Sequence, residues 1–204
     1  MAVTGFVLFG YVVGHLLGNL QIYIGRERLN HYAATLHATP TLLWGTRLVL
    51  LVCVTLHIIA SIQLTRLQRE ARPIGYVKRK DVRANYASRT MMWSGPIIAA
   101  FVVYHLLHLT FGTIGPRHEE VDVYANVVNG FRVPLVSLAY IVSMLLLGMH
   151  LYHGLWSMCQ SMGVSHPRYT PLLKKFAAIT SVLIVIGNIS IPIAVMTRFV
   201  GHDL

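Results

Sequence analysis

The stretch VPLVSLAYIVSMLLLGMHLYHGLWSMCQS, residues 133–161, contains no Asp, Glu, Lys or Arg. A helix of roughly 20 apolar residues crosses a bilayer core, and a buried strand is far shorter than this run. The rest of the chain repeats the pattern. Residues 1–25, 90–115 and 176–197 also lack those four residue types, and residues 41–65 carry one of them, Arg47. Hydrocarbon offers the backbone no water, so each stretch must close its own hydrogen bonds as a helix. The expected fold is all-α: a single membrane domain over residues 1–204, an integral bundle of five transmembrane helices.

Composition agrees with this. Of 204 residues 55% are hydrophobic and 12% are charged, with a mean hydropathy of +0.59. A soluble domain carries about 25% charged residues, so this chain could not cover a water-facing surface. The first stretch has neither a basic lead-in nor a small-residue cleavage site, and reads as a span rather than a removable signal. Cys53 and Cys159 fall on different spans and imply no disulfide framework.

The formal net charge of +10 is unevenly placed. Residues 66–89 carry Arg66, Arg69, Arg72, Lys78, Arg79, Lys80, Arg83 and Arg89 against Glu70 and Asp81, and residues 162–175 add Arg168, Lys174 and Lys175. The connections on the other side and the tail balance five basic residues with five acidic ones. Lys and Arg mark cytoplasmic loops, so the N-terminus is expected inside and the C-terminus outside. Topology and contact with anionic headgroups account for the charge, and nucleic acid drops out as a partner. Arg47 can snorkel to the outer interface.

Ionisable residues within spans point to function. Apart from Arg47 these are His15, His57, His105, His108, His150 and His153, spread over the first four spans. His15 and His105 each lie ten residues before the outer end of their span, taken as Gly25 and Gly115. His57 lies nine residues before Arg66, and His150 eleven before Ser161, both at inner ends. At 1.5 Å per residue each ring sits roughly 15 Å from its own end. Depth therefore matches His15 with His105 in the outer half and His57 with His150 in the inner half. His108 and His153 lie one turn nearer the surface.

Facing neutral imidazoles suit bis-histidine haem ligation within a bundle. No C-x-x-C-H is present, so a haem here would be b-type. Gly14, Gly18, Ala60, Ser61, Gly148 and Gly154 flank the candidate ligands and could make room for a porphyrin, or could simply let helices pack closely. Helix-bonding histidines, zinc and a proton relay are the competing readings. Two depth-matched pairs on four helices favour haem. Zinc lacks a cysteine or carboxylate at ligand spacing, and a relay lacks an intramembrane acid.

These residues carry a resemblance. Gly14-His15-Leu16-Leu17-Gly18-Asn19, Ser94-Gly95 with Tyr104-His105-Leu106, and Met149-His150 with Gly154-Leu155-Trp156-Ser157 resemble the membrane-anchor cytochrome b subunit of succinate dehydrogenases and fumarate reductases. The variety they are similar to is the single-polypeptide, five-helix, di-haem kind, the b558 type. Span two matches mainly through His57, and the short N-terminus departs from the family's polar lead-in.

The resemblance implies two haem b groups, with His15 and His105 on the distal iron and His57 and His150 on the proximal one. His108 and His153 then become hydrogen-bonding or propionate contacts. It also implies flavoprotein and iron–sulfur subunits on the cytoplasmic face, a quinone (menaquinone in this type) as bound substrate, and a place in a prokaryotic cytoplasmic membrane. Higher oligomers of the complex stay open. The chain has no nucleotide fingerprint or iron–sulfur cysteine cluster, so it would be a subunit of an oxidoreductase that cannot oxidise succinate alone. Gln21, Tyr23 and His31 on the outer side, with Arg89 and Ser94 on the inner, are the candidate quinone or propionate contacts. A b-type subunit of another respiratory complex and a haem-free scaffold or transporter are the alternatives.

Overall fold

The computed structural model of the protein describes residues 1–71, 86–116 and 118–202, excluding the side chains of 86–88. Arg72, Lys78, Arg79, Lys80, Asp81, Arg83, Arg117 and Asp203, used above to orient the chain, lie outside the described residues. The described residues form seven α-helices and no strand: α1 (Ala2–Asn19), α2 (Arg26–His37), α3 (Pro40–Glu70), α4 (Tyr86–His105), α5 (Val123–Phe131), α6 (Pro134–Ser161) and α7 (Thr170–Met196). A 3₁₀ turn, Leu20–Tyr23, prolongs α1, and a π turn, Leu106–Thr110, prolongs α4. Five of these helices, with the two prolongations, are long and apolar enough to cross a membrane. The protein is built as a multi-pass membrane protein.

Local chemistry sets the helix boundaries. Pro40, Pro134 and Pro171 occupy first-turn positions of α3, α6 and α7, where the missing N–H costs nothing. Span three stops at Thr110, not at the expected Gly115. The π turn closes with Phe111 N–H donating to Leu106 C=O at 2.9 Å. Gly112 and Gly115 then turn the chain at φ of +64° and +104°, a region open to glycine at little cost.

Two helices occupy what the hydropathy pattern shows only as connections. Helices α2 and α5 lie together over one end of the bundle, the capped end. Six of the nine residues of α5 are buried. Their joint is polar. Asp122 caps α5 by accepting from Ala125 N–H at 2.9 Å, and also takes a hydrogen bond from Asn30 Nδ2 at 2.8 Å and an ion pair with Arg26. Asn30 Oδ1 in turn accepts from Tyr124 N–H at 3.0 Å.

The larger core lies beneath this cap, with Ile22, Leu29, Tyr124, Val128, Phe131 and Tyr140 among its members. A smaller cluster of Leu16, Leu151 and Ile184 continues along α1, α6 and α7. Helices α6 and α7 pack most extensively, with Gly148 receiving Val185. Helix α3 is different: it packs chiefly against α1 and α2, and none of its residues is buried.

Burial alone would raise the Asp122 pKa. The hydrogen bonds from Ala125, Asn30 and Arg26 outweigh it and hold the carboxyl below its ordinary 3.8. A depressed folded-state pKa contributes stability that is present above 3.8 and lost as pH falls through the folded value. Asp122→Ala should therefore cost about 1–2 kcal/mol, chiefly the lost cap. In detergent, the difference in thermal unfolding between wild type and Asp122→Ala should be larger at pH 6 than at a pH where the wild-type carboxyl is protonated.

Candidate functional site

The four depth-matched histidines meet in the pairs expected. His15 from α1 and His105 from α4 have ring centroids 5.8 Å apart with planes at 90°. His57 from α3 and His150 from α6 are 6.4 Å apart at 57°. Two imidazoles bonded trans to one metal at about 2.0–2.1 Å would place their centroids roughly 6 Å apart, so both pairs have the spacing of a shared ion. His105 is the last residue of α4 and lies five residues before the span ends at Thr110, not ten before Gly115. The lateral match with His15 survives the earlier end.

Hydroxyls hold three of the rings at Nδ1. Thr4 Oγ1 is 3.1 Å from His57 Nδ1, Ser94 Oγ 3.4 Å from His150 Nδ1, and the Tyr140 hydroxyl 3.3 Å from His105 Nδ1. Each contact leaves Nε2 as the nitrogen open to a metal, the arrangement by which outer partners orient ligating histidines. His15 is held by stacking on Tyr11, with centroids 5.4 Å apart and planes 17° apart.

The donors meet two at a time. No group of three or more His, Cys, Asp or Glu among the described residues is arranged to hold a metal ion. A pair of imidazoles fills two axial positions and suits an ion whose other ligands come from a planar macrocycle, as in haem. The donor set fits haem better than structural zinc, which takes four protein ligands.

The flanking glycines divide by role. A Cβ on Gly18 would strike the Tyr32 hydroxyl at 2.6 Å and its ring at 2.8 Å, and one on Gly148 would strike Val185, so these two serve helix packing. A Cβ on Gly14 or Gly154 meets nothing within 4 Å. Gly5 faces His57, its Cβ position 3.5 Å from Cε1, and Gly95 faces His150 at 4.0 Å.

The remaining candidates scatter. His108 is 4% exposed, stacked on Tyr104 at 5.7 Å, with Nδ1 2.9 Å from the Tyr140 hydroxyl. His153 packs edge-on to Trp156 at 5.4 Å, and its buried Nδ1 and the Trp156 Nε1 have no hydrogen-bond partner among the described residues. Tyr23 donates to Ser190 Oγ at 2.8 Å beside a groove of about 610 Å³ on α7. Gln21 is half-buried in the same 3₁₀ turn, and His31 is exposed on α2. Arg89 is exposed near the start of α4. Ser94, expected at an interface, is buried to 1% exposure against His150. Arg47 lies over the Trp44 ring at 4.9 Å.

Sequence reasoning passed over Thr4, Tyr11 and Tyr140. Each is a hydroxyl-bearing residue inside a span, and that was the signal available. A second cleft, of about 880 Å³ and lined by Tyr11, Thr39 and Gly45, opens between α1 and α3 beside His15.

Comparison with models of known protein families, with curated proteins and with solved structures gives no match.

The seat of His108 makes a direct expectation. A Cβ on Gly130 would lie 2.7 Å from its Nε2, and one on Gly115 2.8 Å from its Cδ2. Gly130→Ala should overpack the site at a cost of about 1–3 kcal/mol, read as a lower unfolding temperature in detergent. An unchanged transition would show that the imidazole has room to move.

Proposed function

We propose that this chain is a membrane-anchor cytochrome b, the subunit of a succinate:quinone oxidoreductase or fumarate reductase that joins its soluble subunits to the membrane. The observation that carries the proposal is the meeting of four histidines, one from each of four spanning helices, as two pairs at metal-sharing distance. The sequence resemblance supplies the enzyme. On this reading His15 and His105 hold one haem b, and His57 and His150 the other. The haems, when bound, supply one-electron transfer between an iron–sulfur partner and a membrane quinone, menaquinone in the resembling type.

The chain's own residues bind and orient. Thr4, Ser94 and Tyr140 fix ring planes through Nδ1. Buried low-polarity surroundings favour neutral imidazoles, the ligating form. Glycines 14 and 154 keep bulk away from the ligand helices. Flavoprotein and iron–sulfur subunits would dock at the end opposite the cap, where the described basic residues Arg66, Arg69, Arg89, Lys174 and Lys175 lie. By the charge pattern that end is cytoplasmic, in a prokaryotic cytoplasmic membrane. The groove at Tyr23 and the cleft at Tyr11 are the apolar recesses suited to a quinone ring.

A second reading has an observation in its favour. The Thr4–His57, Ser94–His150 and Tyr140–His105 contacts each join two helices, as helix-bonding histidines in a haem-free scaffold would. A reduced-minus-oxidised spectrum of the purified protein separates the readings. Two b-type α-bands are expected, and a featureless spectrum leaves the scaffold. His57→Ala should remove the haem at the uncapped end and keep the other. Loss of both bands, or of neither, would falsify the pairing.

A further inference from the structure

The hydroxyl of Tyr140 stands between two imidazoles, 3.3 Å from His105 Nδ1 and 2.9 Å from His108 Nδ1. Its ring is 6% exposed and is gripped edge-on by Phe101 at 4.9 Å and Phe131 at 4.8 Å. His108 is equally confined, between the Tyr104 face and the backbone of Gly115 and Gly130. Tyr140 and His108 thus have little room to turn away.

A phenol has one proton to give and can accept others. A histidine that ligates through Nε2 carries its proton on Nδ1, so His105 must donate to the Tyr140 oxygen. The phenol proton then has His108 Nδ1 as its acceptor, at the shorter of the two distances. His108 must in turn carry its own proton on Nε2. The reverse order would place a proton on His105 Nε2 and close that nitrogen to a metal.

We propose that Tyr140 is the positioning residue of the capped-end pair: it orders a one-way hydrogen-bond chain from His105 to His108, keeps His105 Nε2 bare, and makes His108 the end of the chain instead of a ligand. The proposal rests on the haem-ligand reading of His105. An outer hydrogen bond from a ligating imidazole raises its basicity and so favours the oxidised metal. Removing the acceptor should raise the midpoint potential of that haem alone.

The test is a redox titration of the α-bands in detergent-purified protein, with His15→Ala identifying the capped-end haem by its loss. Tyr140→Phe keeps the ring and its aromatic packing. It should shift the capped-end midpoint upward and leave the other haem where it was. Tyr104→Phe, whose ring stacks on His108 without bonding His105, should move neither. The proposal is overturned if Tyr140→Phe leaves the capped-end midpoint unchanged, or if Tyr104→Phe shifts it equally.

Nitrogen-15 spectra of histidine-labelled, dithionite-reduced, haem-bound wild-type protein give a reading independent of folding in the variants. They should show His105 protonated at Nδ1 and His108 at Nε2. A proton on His108 Nδ1 sinks the proposal while the haem reading stands. Absence of b-type bands from the wild type removes the cofactor reading and the proposal with it.

Discussion

An imidazole inside hydrocarbon has no water to bond, so its polar nitrogens are best satisfied by a partner on another helix, and four of the six intramembrane histidines have one. That preference organises this bundle. His57 reaches from α3 to Thr4 on α1, His150 from α6 to Ser94 on α4, and His105 from α4 to Tyr140 on α6. Each interhelical hydrogen bond contributes only about 0.6 kcal/mol on average. Their effect lies in register, because each holds one helix at a fixed height and rotation against another. The histidine pairs fall at the same contacts, so the ligand geometry and the helix register depend on the same few polar atoms.

Apolar packing is distributed unevenly around that frame. Its centre is the capped end, where α5 buries two thirds of its length and Tyr140 closes the core from α6. Helix α3 contributes no buried residue and carries His57 on a helix held chiefly by α1 and α2. The α6–α7 contact at Gly148 and Val185 is tight by comparison.

Much of this was legible in the chain. Four charge-free runs and one with a single Arg located the five spans, and counting from their ends paired His15 with His105 and His57 with His150. The count for His105 used Gly115 as the helix end, whereas the π turn ends the helical run at Thr110. The pairing survived because lateral contact depends on which rings share a level, and the error displaced the end rather than the ring. Gly18 and Gly148 admitted two readings, room for a cofactor or close helix packing, and they are contact points for Tyr32 and Val185. A small residue reads alike in both roles until its neighbour is known.

Hydropathy and charge determined by themselves that the chain is helical, that five stretches are long and apolar enough to cross a membrane, and which histidines lie within those stretches. Those properties follow from backbone desolvation, which depends on composition over some twenty residues and little on what packs nearby. Only the tertiary structure decided that α2 and α5 cap one end, that Asp122 joins them, and that Tyr140 stands between His105 and His108. These are contacts between residues 32 to 96 positions apart. A single hydrogen bond of that reach leaves no periodic trace in a sequence, because its partners need only the right atom at the right place.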